Sequence, residues 1–400
     1  MRVPGGKQSG EWNRLATIVN TRLRALPTCP HSAMIAVMRL ARSSITVYKL
    51  RYPRPKRWKD TVEDGATFLL LRLFSDDGLE GIAEGPIKPT WTGTTRRALV
   101  AAIEDMLLPA LDSTDLSDPA AVRARLDLFP ENTLAKALID NACWDLRSQA
   151  QGEALWRLWG GSREVPLSWT VTRAAPASMA YEAIDMIERY GFRTLKIKGG
   201  QGFDTDKRAL HEIRAAVGPS IRLYVDASAA YSQEQVPAYV QMLADAGATH
   251  AEDPCELHPG IWFSTTQGSS PIPLIVDAGS QSLANAHLFL ERGARAMGIK
   301  STRVGASVSL DIARAADSAG ARVNVGLHAE SALGSVIAAH VAAAFPRHAD
   351  SLPSESSFFL AYCESITREP PRIRDGVMSL SDHPGFAALI DWDRLGRYAL

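Results

Sequence analysis

Residues 194–226 read TLKIKGGQGFDTDKRALHEIRAAVGPSIRLYVD. The opening run, Thr194–Lys198, and the closing run, Arg222–Asp226, are short, apolar and bounded by Gly and Pro, as strands are. Between them Thr205–Val217 has the length and spacing of an amphipathic helix. A strand, a helix and a second strand in that order make the crossover unit of a parallel sheet. The same alternation runs outward. Strand-like runs recur at Leu167–Val171, His250–Glu252, Leu274–Asp277, Ala296–Lys300 and Arg322–Gly326, with helices expected over Gln233–Ala246 and Ser307–Ala319. The stretch from His258 to Ser270, rich in Gly, Ser and Thr, is the weak point of the series. Seven or eight such units predict an α/β fold closed into a barrel. An open doubly wound sheet would want a glycine-rich phosphate loop after its first strand, and none is found there.

Upstream the pattern differs. Phe68–Phe74 reads as a strand, Asp76-Asp77-Gly78 as a turn, and Gly81-Ile82-Ala83-Glu84 as the returning strand. Leu134, Leu138, Ala142 and Leu146 then fall four apart, on one helical stripe. Residues 44–160 therefore read as a separate α+β domain ahead of a barrel over 161–350. Residues 1–40 show neither period and are expected to be a disordered extension. The other reading, a targeting peptide, lacks an unbroken apolar core because Pro27 and Pro30 interrupt it.

The strand ends carry the chemistry. Lys196 and Lys198, Asp226, Glu252, Asp277, Lys300, and then His328 with Glu330 close successive runs. From Lys198 to His328 the steps are 28, 26, 25, 23 and 28 residues, each about one βα unit. All would face the C-terminal mouth, where barrel enzymes keep their active sites. Any one of these could be a helix cap or a solvated charge; an ordered set at one spacing is harder to explain that way. Three converging carboxylates repel unless a cation sits between them, and an all-oxygen donor set suits Mg²⁺.

The motifs themselves resemble a known family. Leu195-Lys196-Ile197-Lys198 is similar to the Lys-x-Lys motif of the enolase superfamily, and Ala251-Glu252-Asp253-Pro254 to its Glu-x-Pro metal motif. Val225-Asp226-Ala227-Ser228 resembles Asp-x-Asn with Ser in the last place. Val276-Asp277-Ala278-Gly279 resembles the third-ligand motif, with Ala278 where an acidic residue is usual. Gly298 to Gly305, centred on Lys300, is similar to the sixth-strand lysine motif of the muconate lactonizing enzyme subgroup. The resemblance, to the mandelate racemase/muconate lactonizing enzyme family, extends over about residues 44–400. It implies a (β/α)7β TIM-like barrel with an N-terminal α+β capping domain, residues 351–400 completing both barrel and cap.

The resemblance also implies a mechanism. Mg²⁺, with Mn²⁺ as a substitute, would sit on Asp226, Glu252 and Asp277. Lys198 and Lys300 would work from opposite faces of a carbon next to a carboxylate, through an enediolate. Lys196 would contact the substrate carboxylate, His328 would form a polar wall, and Glu330 would be hydrogen-bonded near Lys300. The basic stretch Arg51–Lys59 is expected to be a cap loop closing over the mouth, with Trp58 and Trp91 as an apolar lid; a merely solvated basic loop is the plainer alternative. The expected function is racemisation, epimerisation or cycloisomerisation. The alternatives are dehydration of an acid sugar or hydroxyproline-type substrate, and an o-succinylbenzoate synthase-like reaction. A dipeptide substrate is disfavoured, since no Asp-x-Asp pair lies between Ala349 and Tyr362.

Composition agrees with a soluble enzyme. Lys+Arg and Asp+Glu balance at 44 each, which argues against nucleic acid as a partner. No apolar run is long enough to span a membrane. Four scattered cysteines form no Cys-x-x-Cys pair and fit reduced thiols in the cytoplasm. A small carboxylate and a second copy of the chain are the expected partners.

Overall fold

The computed structural model describes residues 37–400 except Asp60 and Pro346. Nearly all of the extension expected over 1–40 therefore lies outside the described residues. Its last residues do not behave as an extension. Met38 is buried, its N–H reaches Asp115 Oδ1 at 3.2 Å, and a strand begins at Leu40.

That strand, β1 (Leu40–Arg57), pairs antiparallel with β2 (Val62–Ser75), which pairs with β3 (Glu80–Ile87). The expected loop over Arg51–Lys59 is thus mostly strand. Backbone pairing resumes at Lys56 and Arg57, after a bulge, and carries the chain out to Trp58. The β2–β3 turn forms at Asp76-Asp77-Gly78, where Gly78 takes φ 91°. Helix α1 (Thr133–Gln151) lies across this sheet. Leu134, Leu138, Ala142 and Leu146 are all buried, each leucine contributing roughly 1.5–3 kcal/mol of apolar burial. The close approach needs Gly81: a Cβ there would stand 2.2 Å from the Ala142 carbonyl oxygen.

Seven parallel strands follow: β4 (Trp169–Val171), β5 (Thr194–Lys198), β6 (Arg222–Asp226), β7 (Ala248–Glu252), β8 (Leu274–Val276), β9 (Ala296–Ile299) and β10 (Arg322–Val325). They hydrogen-bond in chain order. β8 and β9 are buried along their whole length, and Leu274–Val276 and Ala296–Ile299 accordingly read as unbroken apolar runs. Helices cover the sheet, among them α2 (Pro176–Tyr190), α3 (Phe203–Val217), α4 (Val236–Asp245), α5 (Ile261–Ser269), α6 (Leu283–Glu291), α7 (Ala306–Ser318) and α8 (Ala332–Ala343). The weak stretch from His258 to Ser270 holds α5 after all: buried Phe263 and Gln267 lie four apart and anchor it despite its poor helix formers.

The C-terminal segment returns to both parts. Ser354 N–H donates to the Pro166 carbonyl at 3.0 Å and Glu355 N–H to the Val325 carbonyl at 2.8 Å, so this segment bonds to both edges of the sheet. The Leu400 N–H reaches the Val47 carbonyl on β1 at 2.8 Å. Tyr48 on β1 and Ser331 at the head of α8 both donate to Glu84 on β3, each at 2.5 Å, tying the antiparallel sheet to the parallel one.

Candidate active site

Chain direction gathers the ionisable residues. Lys198, Asp226 and Glu252 are the last residues of β5, β6 and β7, while Asp277 and Lys300 come one residue after β8 and β9. Parallel strands point the same way, so these ends share one mouth. Lys196 and Lys198, two apart, project from one face of β5. A cavity of about 270 Å³ opens there. Lys198, Asp226, Asp277, Lys300, His328 and Trp58 line it, all expected from the sequence. Lys196, Glu252 and Glu330, expected with them, are buried and are not part of its lining.

The reason is charge pairing. Lys196 Nζ lies 2.7 Å from Glu252 Oε1, 3.0 Å from Asp226 Oδ2 and 3.1 Å from both oxygens of Glu355. Burial alone would lower its pKa; the three carboxylates outweigh that and raise it, so it stays an ammonium. Lys198 Nζ donates to Asp226 Oδ2 at 2.5 Å, and Lys300 is bonded to Asp277 Oδ2. Despite burial, Asp226 is held well below the usual carboxylate range by Lys196 and Lys198. Asp277 is held down likewise by Lys300 and Arg303. Glu330 is hydrogen-bonded within electrostatic reach of Lys300. It accepts from Thr302 Oγ1, in the turn after β9, and from the His328 N–H of its own loop, each at 2.8 Å.

The donor set fits a hard divalent cation. Burial, and then the nearby Asp226, push the Glu252 carboxyl well above its ordinary pKa, the mark of carboxylates crowded together. Glu252 Oε2 and Asp277 Oδ1 are buried with no hydrogen-bond partner, although Arg303 Nη2 stands 3.2 Å from the latter. As they stand, Lys196, Lys198 and Lys300 are paired with these carboxylates. Among the described residues no three acidic, His or Cys side chains gather at metal-holding distance.

Sequence reasoning missed three residues here. Arg303, three after Lys300 on a helical turn, lines the cavity and donates to the Asp277 and Ser280 carbonyls. Its spacing from Lys300 was the available signal. Arg173, two residues beyond β4, also lines the cavity and bonds the Gly199 and Ala227 carbonyls. Glu355 lies in the run Pro353-Ser354-Glu355-Ser356-Ser357, which has no strand period to announce it.

Two family models match in sequence order. Residues 42–160 match the mandelate racemase/muconate lactonizing enzyme N-terminal domain, and residues 178–394 the enolase C-terminal domain-like model. The chain belongs to the mandelate racemase/muconate lactonizing enzyme family. It is an enzyme of the enolase superfamily, with isomerases as its relatives. An N-succinylamino acid racemase from Thermus thermophilus is 29% identical over 81% of this chain and 87% of its own. Muconate cycloisomerase 1-1 from Acinetobacter lwoffii is 27% identical over 86% and 92%. Among solved structures, the muconate lactonizing enzyme from Mucobacterium Smegmatis complexed with muconolactone superposes with a TM-score of 0.86. It is 27% identical and covers 91% of this chain and all of its own. Enzymes of this family generally use a divalent metal. Among the described residues no helix is long and apolar enough to cross a membrane.

Proposed function

We propose that this enzyme binds a small carboxylate at the strand-end cavity and moves the proton on the adjacent carbon, as a racemase, epimerase or cycloisomerase. The observation that carries the reading is the placement of two lysines. Lys198 and Lys300 line one cavity from β5 and β9, with three strands between them, and each is held by a different aspartate. A neutral lysine takes a proton and an ammonium gives one, so a carbon between them can lose a proton to one side and regain it from the other. The names of the racemase, epimerase and cycloisomerase relatives support the same class.

Asp226, Glu252 and Asp277 would hold Mg²⁺, or Mn²⁺ in its place. When bound, the ion supplies positive charge where the substrate carboxylate gains electron density. Lys196 keeps Asp226, Glu252 and Glu355 together in a site that would otherwise repel itself. Arg57, Lys59, Arg173 and Arg303 add cationic lining suited to an anionic ligand, and Trp58 and Trp91 exclude water from one side. In this reading residues 44–160 are the cap and 161–350 the barrel. Residues 351–400 complete both, Ser354 and Glu355 acting as the eighth strand that closes the ring.

The test is α-proton exchange in D₂O, followed by NMR, against N-acylamino acids, hydroxyprolines and muconates. Exchange at the carbon beside the carboxylate, with recovery of both stereoisomers or of a lactone, is expected. Loss of water from the substrate would turn the assignment to a lyase. Absence of exchange with every carboxylate would refute it.

A further inference from the structure

The turn that follows Lys300 is held from outside the parallel sheet. Lys300 stands at the head of the helical turn Ser301–Val304, and its carbonyl accepts from the Arg303 and Val304 N–H groups at 2.8 and 3.1 Å. α1, which packs on the antiparallel sheet, sends two neighbouring side chains to the two ends of this turn. Asn141 Nδ2 donates to the Ser301 carbonyl at 3.1 Å, and Asn141 Oδ1 accepts from the Ala306 N–H at 2.9 Å. Asp140 accepts from the Ser307 N–H at 2.8 Å and from the Ser307 hydroxyl at 2.6 Å. Asp140, Asn141 and Ser301 are all buried. The fit leaves little slack: Gly305 takes φ 87°, and a Cβ there would stand 2.6 Å from Asp140 Oδ2.

The side chain at 141 is matched to this place. A carboxamide offers a donor and an acceptor side by side, and here one meets a carbonyl and the other an N–H. A carboxylate would have no donor for Ser301, and a leucine neither group. Asn141 does not line the cavity, so its influence runs through the turn it holds. Lys198 is fixed by other means. Asp206 of α3 accepts from the Gly200 and Gln201 N–H groups at 2.6 and 3.1 Å, and Arg173 donates to the Gly199 carbonyl at 2.6 Å. Both belong to the parallel-strand region. The two lysines of one cavity therefore take their backbone placement from different parts of the molecule.

We propose that Asn141, with Asp140 beside it, is a positioning residue for Lys300: α1 sets how this lysine reaches into the cavity and leaves Lys198 alone. This rests on the α-proton reading above and deepens it. A lysine amine rides on a flexible four-carbon stem, so it meets a reacting carbon reproducibly only if the backbone beneath it is fixed. A misplacement of about 1 Å can cost about 10²-fold in rate. The helix on the antiparallel sheet thus serves one of the two proton transfers and not the other.

The experiment is α-proton exchange in D₂O on the full chain. The probes are N-acylamino acids and hydroxyprolines, each stereoisomer run separately, and muconolactone. For every probe, Lys198→Ala and Lys300→Ala identify the lysine that takes the proton. Asn141→Leu should slow the exchange that depends on Lys300 by roughly 10–100-fold, through kcat with KM nearly unchanged. Exchange that depends on Lys198 should slow by less than about threefold. Asn141→Asp keeps the shape and loses the donor; it should fall on the same side and carries the test where the leucine variant folds poorly. Asp140→Asn, which keeps one acceptor, should act in the same direction more weakly. Equal slowing of both exchanges would reduce Asn141 to a structural residue and overturn the proposal. Unchanged rates in both Asn141 variants, or exchange that depends on Lys198 alone, would overturn it too while the α-proton reading stands. Failure of every carboxylate to exchange in the native enzyme would overturn that reading, and this one with it.

Discussion

Lys196 and Glu355, 159 residues apart in the chain, face each other with both Glu355 oxygens 3.1 Å from Nζ. Glu355 also accepts from Tyr224 Oη at 2.8 Å, Asn324 Nδ2 at 3.1 Å and the Leu327 N–H at 3.0 Å. One buried carboxylate thus joins β5, β6, β10 and the C-terminal segment. Removing one partner of a buried pair leaves the other charge uncompensated. Glu355→Ala should cost about 3–5 kcal/mol in urea unfolding, and Glu355→Gln less. A loss under about 1 kcal/mol for the alanine variant would show that the network is dispensable.

The two lysines give the sharpest functional test. Lys198→Ala should remove exchange with one stereoisomer and Lys300→Ala with the other, each by roughly 10²–10⁴-fold. Deuterium incorporation measured separately from each enantiomer checks this. Full activity in both variants on a confirmed substrate would refute the mechanism and leave the fold untouched.

Stripping divalent ions with EDTA should abolish exchange, and Mg²⁺ should restore it. Titration calorimetry should show Mg²⁺ binding to the native chain and its loss in Glu252→Gln. Retained exchange after exhaustive chelation would dismiss the three carboxylates as a metal site.

Stability should depend on pH through Asp145, fully buried on α1. Burial first, and Glu80 second, raise its folded pKa to about 8, although the Ile82 and Phe386 N–H groups oppose the rise. Its folded pKa lies above the unfolded value of about 4, so the native state binds the extra proton between the two. This contribution is fully present below about pH 4 and is lost as pH rises through about 8, by about 1.4 kcal/mol per unit in that window. Asp145→Asn should flatten that slope in melts taken from pH 5 to 8. An unchanged slope would mean that the carboxyl is ionised in the fold.

Gly81→Ala should destabilise the chain by about 1–3 kcal/mol, because the new methyl would press on the Ala142 carbonyl of α1. Denaturant unfolding would show it; a neutral result would mean that α1 can slide away from the sheet.

Much of this molecule was legible in its sequence because the relevant periods are local. Leu134, Leu138, Ala142 and Leu146 mark a buried helical stripe whatever surrounds them, and the βα spacing from Lys198 to His328 places side chains at one mouth once the strands are parallel. What the sequence by itself determined is therefore the element order, the family and the set of residues at the strand ends. The tertiary structure alone decided which of them meet. Lys196 is walled off from the cavity because Glu355 arrives from a segment with no period of its own, and Glu330 takes its hydrogen bond from Thr302, a residue of the preceding βα unit. Charge pairs are set by distances across the closed fold, and no local pattern carries that information.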